Sequence, residues 1–270
     1  MLARLAIALL FCACAAPSFA FDHQHGAWTS LLAQYVQWNA AGTATTVDYD
    51  GLLRDREPLK SYLTELSSPS RAEFDGWPQA QRRAFLINAY NAYTVELILT
   101  RYPKLQSIRD LGSLFSSPWK QSFFMLLGEK QSLDGIEHGL LRGAADFDEP
   151  RIHFAVNCAS VGCPALRPEA YRAEILDEQL EDQTRRFFSD RTRNRFDAAG
   201  TTLYLSRILD WYAEDFERPF RDGASVAAFA AHYAQALGVD QATAQRLMAD
   251  EVDIEFLDYD WSLNRKAPVE

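Results

Sequence analysis

The stretch AFLINAYNAYTVELIL, Ala84 to Leu99, constrains the fold more than any other part of the chain. It is apolar almost all the way round at helical spacing, so a helix there must be buried on most sides rather than on one. Other elements have to surround it. The helix is expected from Gln79 to Tyr102, with Pro103 ending it. Within it, Asn88 and Asn91 are three residues apart and share a face. An amide buried without partners costs about 1–3 kcal/mol. Something polar must therefore meet this pair: the backbone of a neighbouring loop, or a functional group that the amides orient.

The elements available to wrap this helix are mostly helical. Trp28, Leu31, Leu32, Tyr35 and Val36 recur with helical period, as do Leu59 to Leu66 and Ala170 to Phe188. Asp134 to Arg142 reads as a short helix with Asp134 as its cap and Glu137 completing a capping box. Ala224 to Leu237 and Gln241 to Asp250 add two more helices. Arg151 to Asn157 alternates like a strand, Asn194 to Leu205 reads as a hairpin turning at Asp197 to Gly200, and Ile254 to Trp261 alternates again. Few strands among many helices, without βαβ alternation, predict an α+β fold. The expected architecture is a helix-rich single domain with a small, mainly antiparallel sheet.

The first twenty residues stand apart from this pattern. MLARLAIALLFCACAAPSFA has a positive start at Arg4, a short apolar run and a small-x-small ending at Ala20, the form of a cleavable secretory leader. A periplasmic or secreted protein spanning residues 21–270 is expected, with a lipid anchor on Cys12 or Cys14 as the lesser alternative. No later run reaches the roughly 20 apolar residues of a membrane span. With 37 acidic against 27 basic side chains, the surface repels phosphate backbones, so nucleic acid is not an expected partner.

Beyond the leader, Cys158 and Cys163 are the only cysteines. Cys158 follows the expected strand and opens the small-residue loop ASVG, a place where a rigid element fixes the root of an exposed side chain. A nucleophilic thiol needs a base. His153 lies an odd number of strand positions away and is expected on the opposite face, so His138 is the preferred base. Glu137 or Asn88 would orient its imidazole, and loop amides from Ala159 to Gly162 would hold an oxyanion. Two other readings stay open: a Cys158–Cys163 disulfide, and inert buried cysteines. At the mature amino terminus, Phe21-Asp22-His23 with His25 nearby offers a weak nitrogen set for a metal. No cofactor motif is present.

The blocks RRAFLINAYNAYTVELIL, LDGIEHGLLR, DEPRIHFAVNCASVGCPAL and FLDYDWSLN, with FDHQHGAW near the start, resemble the domain-of-unknown-function 547 family. The resemblance implies an exported or envelope protein of bacteria and brings no activity with it. Asn88, Asn91, Glu137, His138, Arg151, His153, Cys158, Cys163 and Pro164 fall on its motifs. The expectation is a thiol-dependent hydrolase or acyltransferase, with Cys158, His138, Glu137 and Asn88 catalytic. Asn91, His153, Tyr90 and Arg151 would contact an unknown small or peptide-like substrate. The alternative is a non-catalytic binding protein with bridged cysteines and a cleft lined by Tyr90, Tyr93 and Trp119. A metal handler using His23 and His25 is a weaker third.

Overall fold

A computed structural model describes residues 21–113, 116–143, 148–197 and 201–267. The expected leader and the hairpin turn at residues 198–200 lie outside them. The chain opens with α1 (Gly26–Tyr35), which buries Trp28, Leu31, Leu32 and Tyr35 as their spacing predicts. Strands β1 (Val36–Trp38) and β2 (Thr45–Val47) then pair antiparallel. Helices α2 (Tyr49–Arg54), α3 (Arg56–Leu66) and α4 (Arg71–Asp75) follow. Asp48 caps α2 through the Gly51 amide, and Ser70 with Glu73 forms a full capping box on α4.

Helix α5 (Gln79–Leu99) is the centre of the fold. Every residue from Ala84 to Val95 is buried, as its all-round apolar surface requires. A second ribbon, β3 (Phe124–Leu126) with β4 (Glu129–Gln131), packs nearby; Phe124 stacks on Tyr93 of α5 with ring centroids 3.7 Å apart. Further on come α6 (Leu176–Ser189), β5 (Arg195–Asp197) and β6 (Thr202–Ser206). After them lie α7 (Ile208–Trp211), α8 (Ala213–Phe216), α9 (Val226–Ala231), α10 (Ala234–Leu237), α11 (Gln241–Met248) and β7 (Asp253–Leu257). Strand β6 pairs antiparallel with β5 and parallel with β7. The architecture is α+β, with small antiparallel ribbons and one mixed three-stranded sheet.

Two local expectations fail, and both bear on the site. Gly135–Leu141 is not an ordinary helix but a wide π-type turn, in which the Arg142 amide donates to the Glu137 carbonyl five residues back. Asp134 makes no side-chain cap there. Pro150–Phe154 is a 3₁₀ turn rather than a strand: Pro150 starts it, and the Glu149 carboxylate accepts from the Arg151 amide. The alternation of polar and apolar residues misleads here because every residue from Glu149 to Asn157 is buried. Arg151 and His153 are inside because each meets a buried carboxylate, not because they face water.

The segment after β7 returns across the molecule as a stitch. The Val161 and Gly162 amides donate to the Ser262 and Asp260 carbonyls, the Leu263 amide to Gln106, and the Asn264 amide to Ala159. Val47 of β2 then donates to the Asn264 carbonyl.

Candidate functional site

Where this stitch meets α5, the π-turn and the 3₁₀ turn, a cavity of about 230 Å³ opens. Tyr90 comes from α5, Asp134, Glu137 and His138 from the π-turn and the residue before it, and His153 from the 3₁₀ turn. Val156, Cys158, Cys163 and Pro164 come from the loop beyond. Trp211 and Tyr212 from the end of α7, Tyr259 and Trp261 from the tail, and Trp119 supply aromatic walls.

The cysteine loop is fixed by amide side chains. Asn91 donates to the Ala155 carbonyl at 3.0 Å and accepts from the Asn157 amide at 2.8 Å. Asn157 in turn donates to the Pro164 carbonyl at 2.7 Å and accepts from the Ala159 amide at 2.9 Å. Ala159 is thereby held at φ 63°, a left-handed conformation costing a non-glycine residue about 1–2 kcal/mol. Gly162 lets the Tyr259 ring lie on the loop; a Cβ there would sit 3.0 Å from three ring atoms.

Within this frame Cys158 and Cys163 are joined as a disulfide. The Cys158 amide donates to the Cys163 sulfur at 2.9 Å, and the Tyr259 hydroxyl donates to the same sulfur at 3.1 Å. Neither sulfur is a free thiol. Three of the four loop amides expected to hold an oxyanion, those of Ala159, Val161 and Gly162, bond within the protein.

The polar wall is a connected network. Asp215, buried on α8, accepts from His153 Nε2 at 2.7 Å and from the Arg142 guanidinium. Burial opposes its charge, but the hydrogen bonds from His153 and Arg142 outweigh that and hold its carboxyl down to about 2. Burial lowers the pKa of His153, against the pull of Asp215. Its imidazole is therefore neutral at pH 7, with the proton on Nε2 and an unpartnered Nδ1. Arg142 also donates to His138 Nδ1 at 2.6 Å and lies over the Tyr212 ring at 5.0 Å. Because arginine only donates, Nδ1 is the bare nitrogen of His138, and its Nε2 stands 3.7 Å from Asp134. Tyr212 donates to Glu137 Oε1 at 2.5 Å. Burial, reinforced by Glu137, pushes the phenols of Tyr90 and Tyr212 well above their usual range.

The cavity thus gathers Cys158, Cys163, Glu137, His138, His153, Tyr90 and Trp119 from the residues singled out in the sequence. It does so against one expectation: the parity rule that placed His153 opposite Cys158 does not apply to a 3₁₀ turn. Four other residues singled out in the sequence are engaged elsewhere in the fold. Asn88 orients no imidazole; it exchanges both hydrogen bonds with the Tyr171 backbone, at 2.7 and 2.9 Å. Asn91 holds the loop backbone rather than a ligand. Arg151 is locked to Glu149, Asp177 and Glu181. Tyr93 bonds to Ser67 and the Leu63 carbonyl. At the amino-terminal end, His25 pairs with the Tyr62 hydroxyl at 2.7 Å and His23 packs edge-on against Trp77. Among the described residues no group of three or more His, Cys, Asp or Glu side chains is arranged to hold a metal, and no helix is long and apolar enough to cross a membrane.

Sequence reasoning missed Asp215, Tyr212, Trp211, Asn157 and Tyr259. Tyr259 and Asn157 lie inside the quoted blocks; the other three lie in DWYAEDF, outside every block quoted above.

Residues 74–188 match the family described as "Protein of unknown function, DUF547". No curated protein and no solved structure matches the chain.

Proposed function

We propose that this protein, which belongs to the DUF547 family through residues 74–188, binds a small organic or peptide-like molecule in the aromatic cavity. Its leader-like first twenty residues would take it to an oxidising compartment outside the cytoplasm, where a bridged cysteine pair persists. The observation that carries the reading is the bonded Cys158–Cys163 pair in the wall of a concave, largely aromatic site. The bond removes the resting thiol that a nucleophile needs and leaves the recognition surface in place. The test is a tryptophan-fluorescence titration of the exported protein against a panel of small aromatic, aliphatic and dipeptide probes. A saturable change that Trp211→Ala removes is expected; a panel without any saturable response would defeat the reading.

A second reading rests on the Asp215–His153 pair. Reduction would free Cys158, the more exposed of the two sulfurs, beside an imidazole already held in one tautomer. His153 Nδ1, rather than the arginine-occupied His138, would then take the thiol proton. The Cys158 sulfur would attack an acyl carbon, and the proton would pass to the leaving group. Intact mass after reduction and exposure to an acyl thioester tests this. Turnover requires an acyl adduct on Cys158 that forms and then decays, with formation slowed in His153→Gln. A permanent adduct, or none, would remove the thiol reading while leaving the binding reading untouched.

A further inference from the structure

The charge of the cavity carries more than its shape. Glu137 is only 5% exposed and, among the described residues, has no ion-pair partner; Tyr212 and Tyr90 meet it with neutral hydroxyls. A buried carboxylate without a cation is costly, and such groups are normally paired or bind something. Asp134 adds a second carboxylate to the same wall. No lysine or arginine lines the cavity among the described residues. Arg142, whose charge also reaches Glu137, is engaged by Asp215, and Arg109 lies on the face of Trp261 at 5.2 Å. His153 is neutral and contributes no positive charge, while its unpartnered, fully buried Nδ1 is a further acceptor in the wall.

The remaining surface is aromatic. Trp211, 47% exposed, stacks on Trp261 at 5.6 Å and on Tyr259 at 4.8 Å, and Tyr259 meets Trp261 at 4.5 Å. Aromatic faces next to an unpaired carboxylate are what a desolvated organic cation seeks, because the ring quadrupole and the carboxylate attract the same charge. The size agrees. A cavity of about 150 Å³ holds benzene, so about 230 Å³ accommodates a ring carrying a short ammonium arm.

Resting on the binding reading above, we infer that the ligand is a small organic cation. Its ammonium would lie at Glu137, with Asp134 nearby, and its apolar body on Trp211, Tyr259 and Trp261. The site would discriminate against neutral molecules of the same shape and against carboxylates.

The experiment compares benzylammonium with its neutral counterpart benzyl alcohol on the full exported protein, by calorimetry at neutral pH. The cation is expected to bind on the order of tenfold more tightly, the range of a partly desolvated cation–aromatic contact. Glu137→Gln, which keeps an oxygen for Tyr212, should abolish the preference, bringing the affinities of the two probes to within about a factor of two of each other. Equal binding of the two probes to the unmodified protein overturns the cation inference but leaves the binding site standing; this arm needs no variant. If neither probe binds, the site itself falls. A preference that survives intact in Glu137→Gln overturns the assignment of the charge to Glu137.

Discussion

The described residues form two hydrophobic cores, and each brings different polar groups to the site. The first surrounds α5 and runs from Trp28 to Leu180, with Leu263 of the tail. Its central polar residues, Asn88 and Asn91, are neutral amides that satisfy backbone groups. The second is built from rings, Phe154, Phe187, Phe188, Phe216, Phe229 and Tyr233, with centroids 4.8 to 6.1 Å apart. The polar group at its edge is charged: Asp215 with Arg142 and His153. Helix α6 joins them, its Leu176 and Leu180 in the first core and its Phe187 and Phe188 in the second. The first core therefore sets the backbone geometry of the cysteine loop and, through the π-turn, places Glu137; the second brings Asp215 and Tyr212 to the same wall. The family match ends at residue 188, at the junction. Tyr212, Asp215, Tyr259 and the tryptophans Trp211 and Trp261 all come after it.

If α6 makes the two cores one cooperative unit, damage to either should shift a single transition. Phe229→Ala, which opens a void among the rings, should cost about 4 kcal/mol; urea unfolding followed by both tryptophan emission and circular dichroism should remain one step. Two separated steps would show the cores to be independent. Asn91→Ala orphans the Ala155 carbonyl and the Asn157 amide and should cost about 3 kcal/mol, again in one step. It should also weaken any ligand bound at the loop, which Asn88→Ala, equally buried but tied to Tyr171, should do far less.

The third test uses pH. Burial, outweighing the pull of Asp22, lowers the pKa of His25 against the first core to about 4. Its folded pKa lies below its unfolded value near 6.5. The unfolded chain therefore takes up a proton first as pH falls. The associated stability is complete above about pH 6.5 and drains away towards pH 4, by up to roughly 3 kcal/mol. His25→Asn, which suits the backbone φ of 49° there, should flatten that part of the pH–stability curve relative to the unmodified protein. Identical slopes would show that His25 is protonated in the fold. The smallest effect belongs to the disulfide. It closes a short loop between residues five apart, so Cys158→Ser with Cys163→Ser should lower stability by only about 2 kcal/mol, measured by thermal denaturation. A much larger loss would mean that the bridge, rather than the asparagines, holds the loop.

The sequence was most readable where one physical term dominates. Helix α5 announces itself because nothing except burial on all sides suits Ala84 to Leu99, and the heptad-like spacing from Trp28 to Tyr35 gives α1 the same way. Reading failed where several terms compete. Arg151 to Asn157 looks like a strand because its polar residues alternate, yet Arg151 and His153 are buried against carboxylates contributed by residues 149, 177, 181 and 215. Except for Glu149, two residues before Arg151, their partners come from other elements, where the local pattern does not reach them. Asp134 and Glu137 resemble a capping box, but Glu137 is drawn to Tyr212, 75 positions away. The reading of the cavity fell short for the same reason. The loop residues stand out in their own block, while Asp215 and Tyr212 sit in DWYAEDF, whose apolar residues recur at helical spacing and whose polar ones form no motif.

The stitch formed by residues 259 to 264 has a consequence in time. Each part it fastens, from β2 through the cysteine loop, is made before it during synthesis. A nascent chain can assemble most of the α5 core and bring Cys158 close to Cys163 while Tyr259, Trp261 and Leu263 are still to come. Throughout that interval the sulfurs lack the cover that Tyr259 gives them. The wall that would later screen them arrives only after the pairing has had its chance to form.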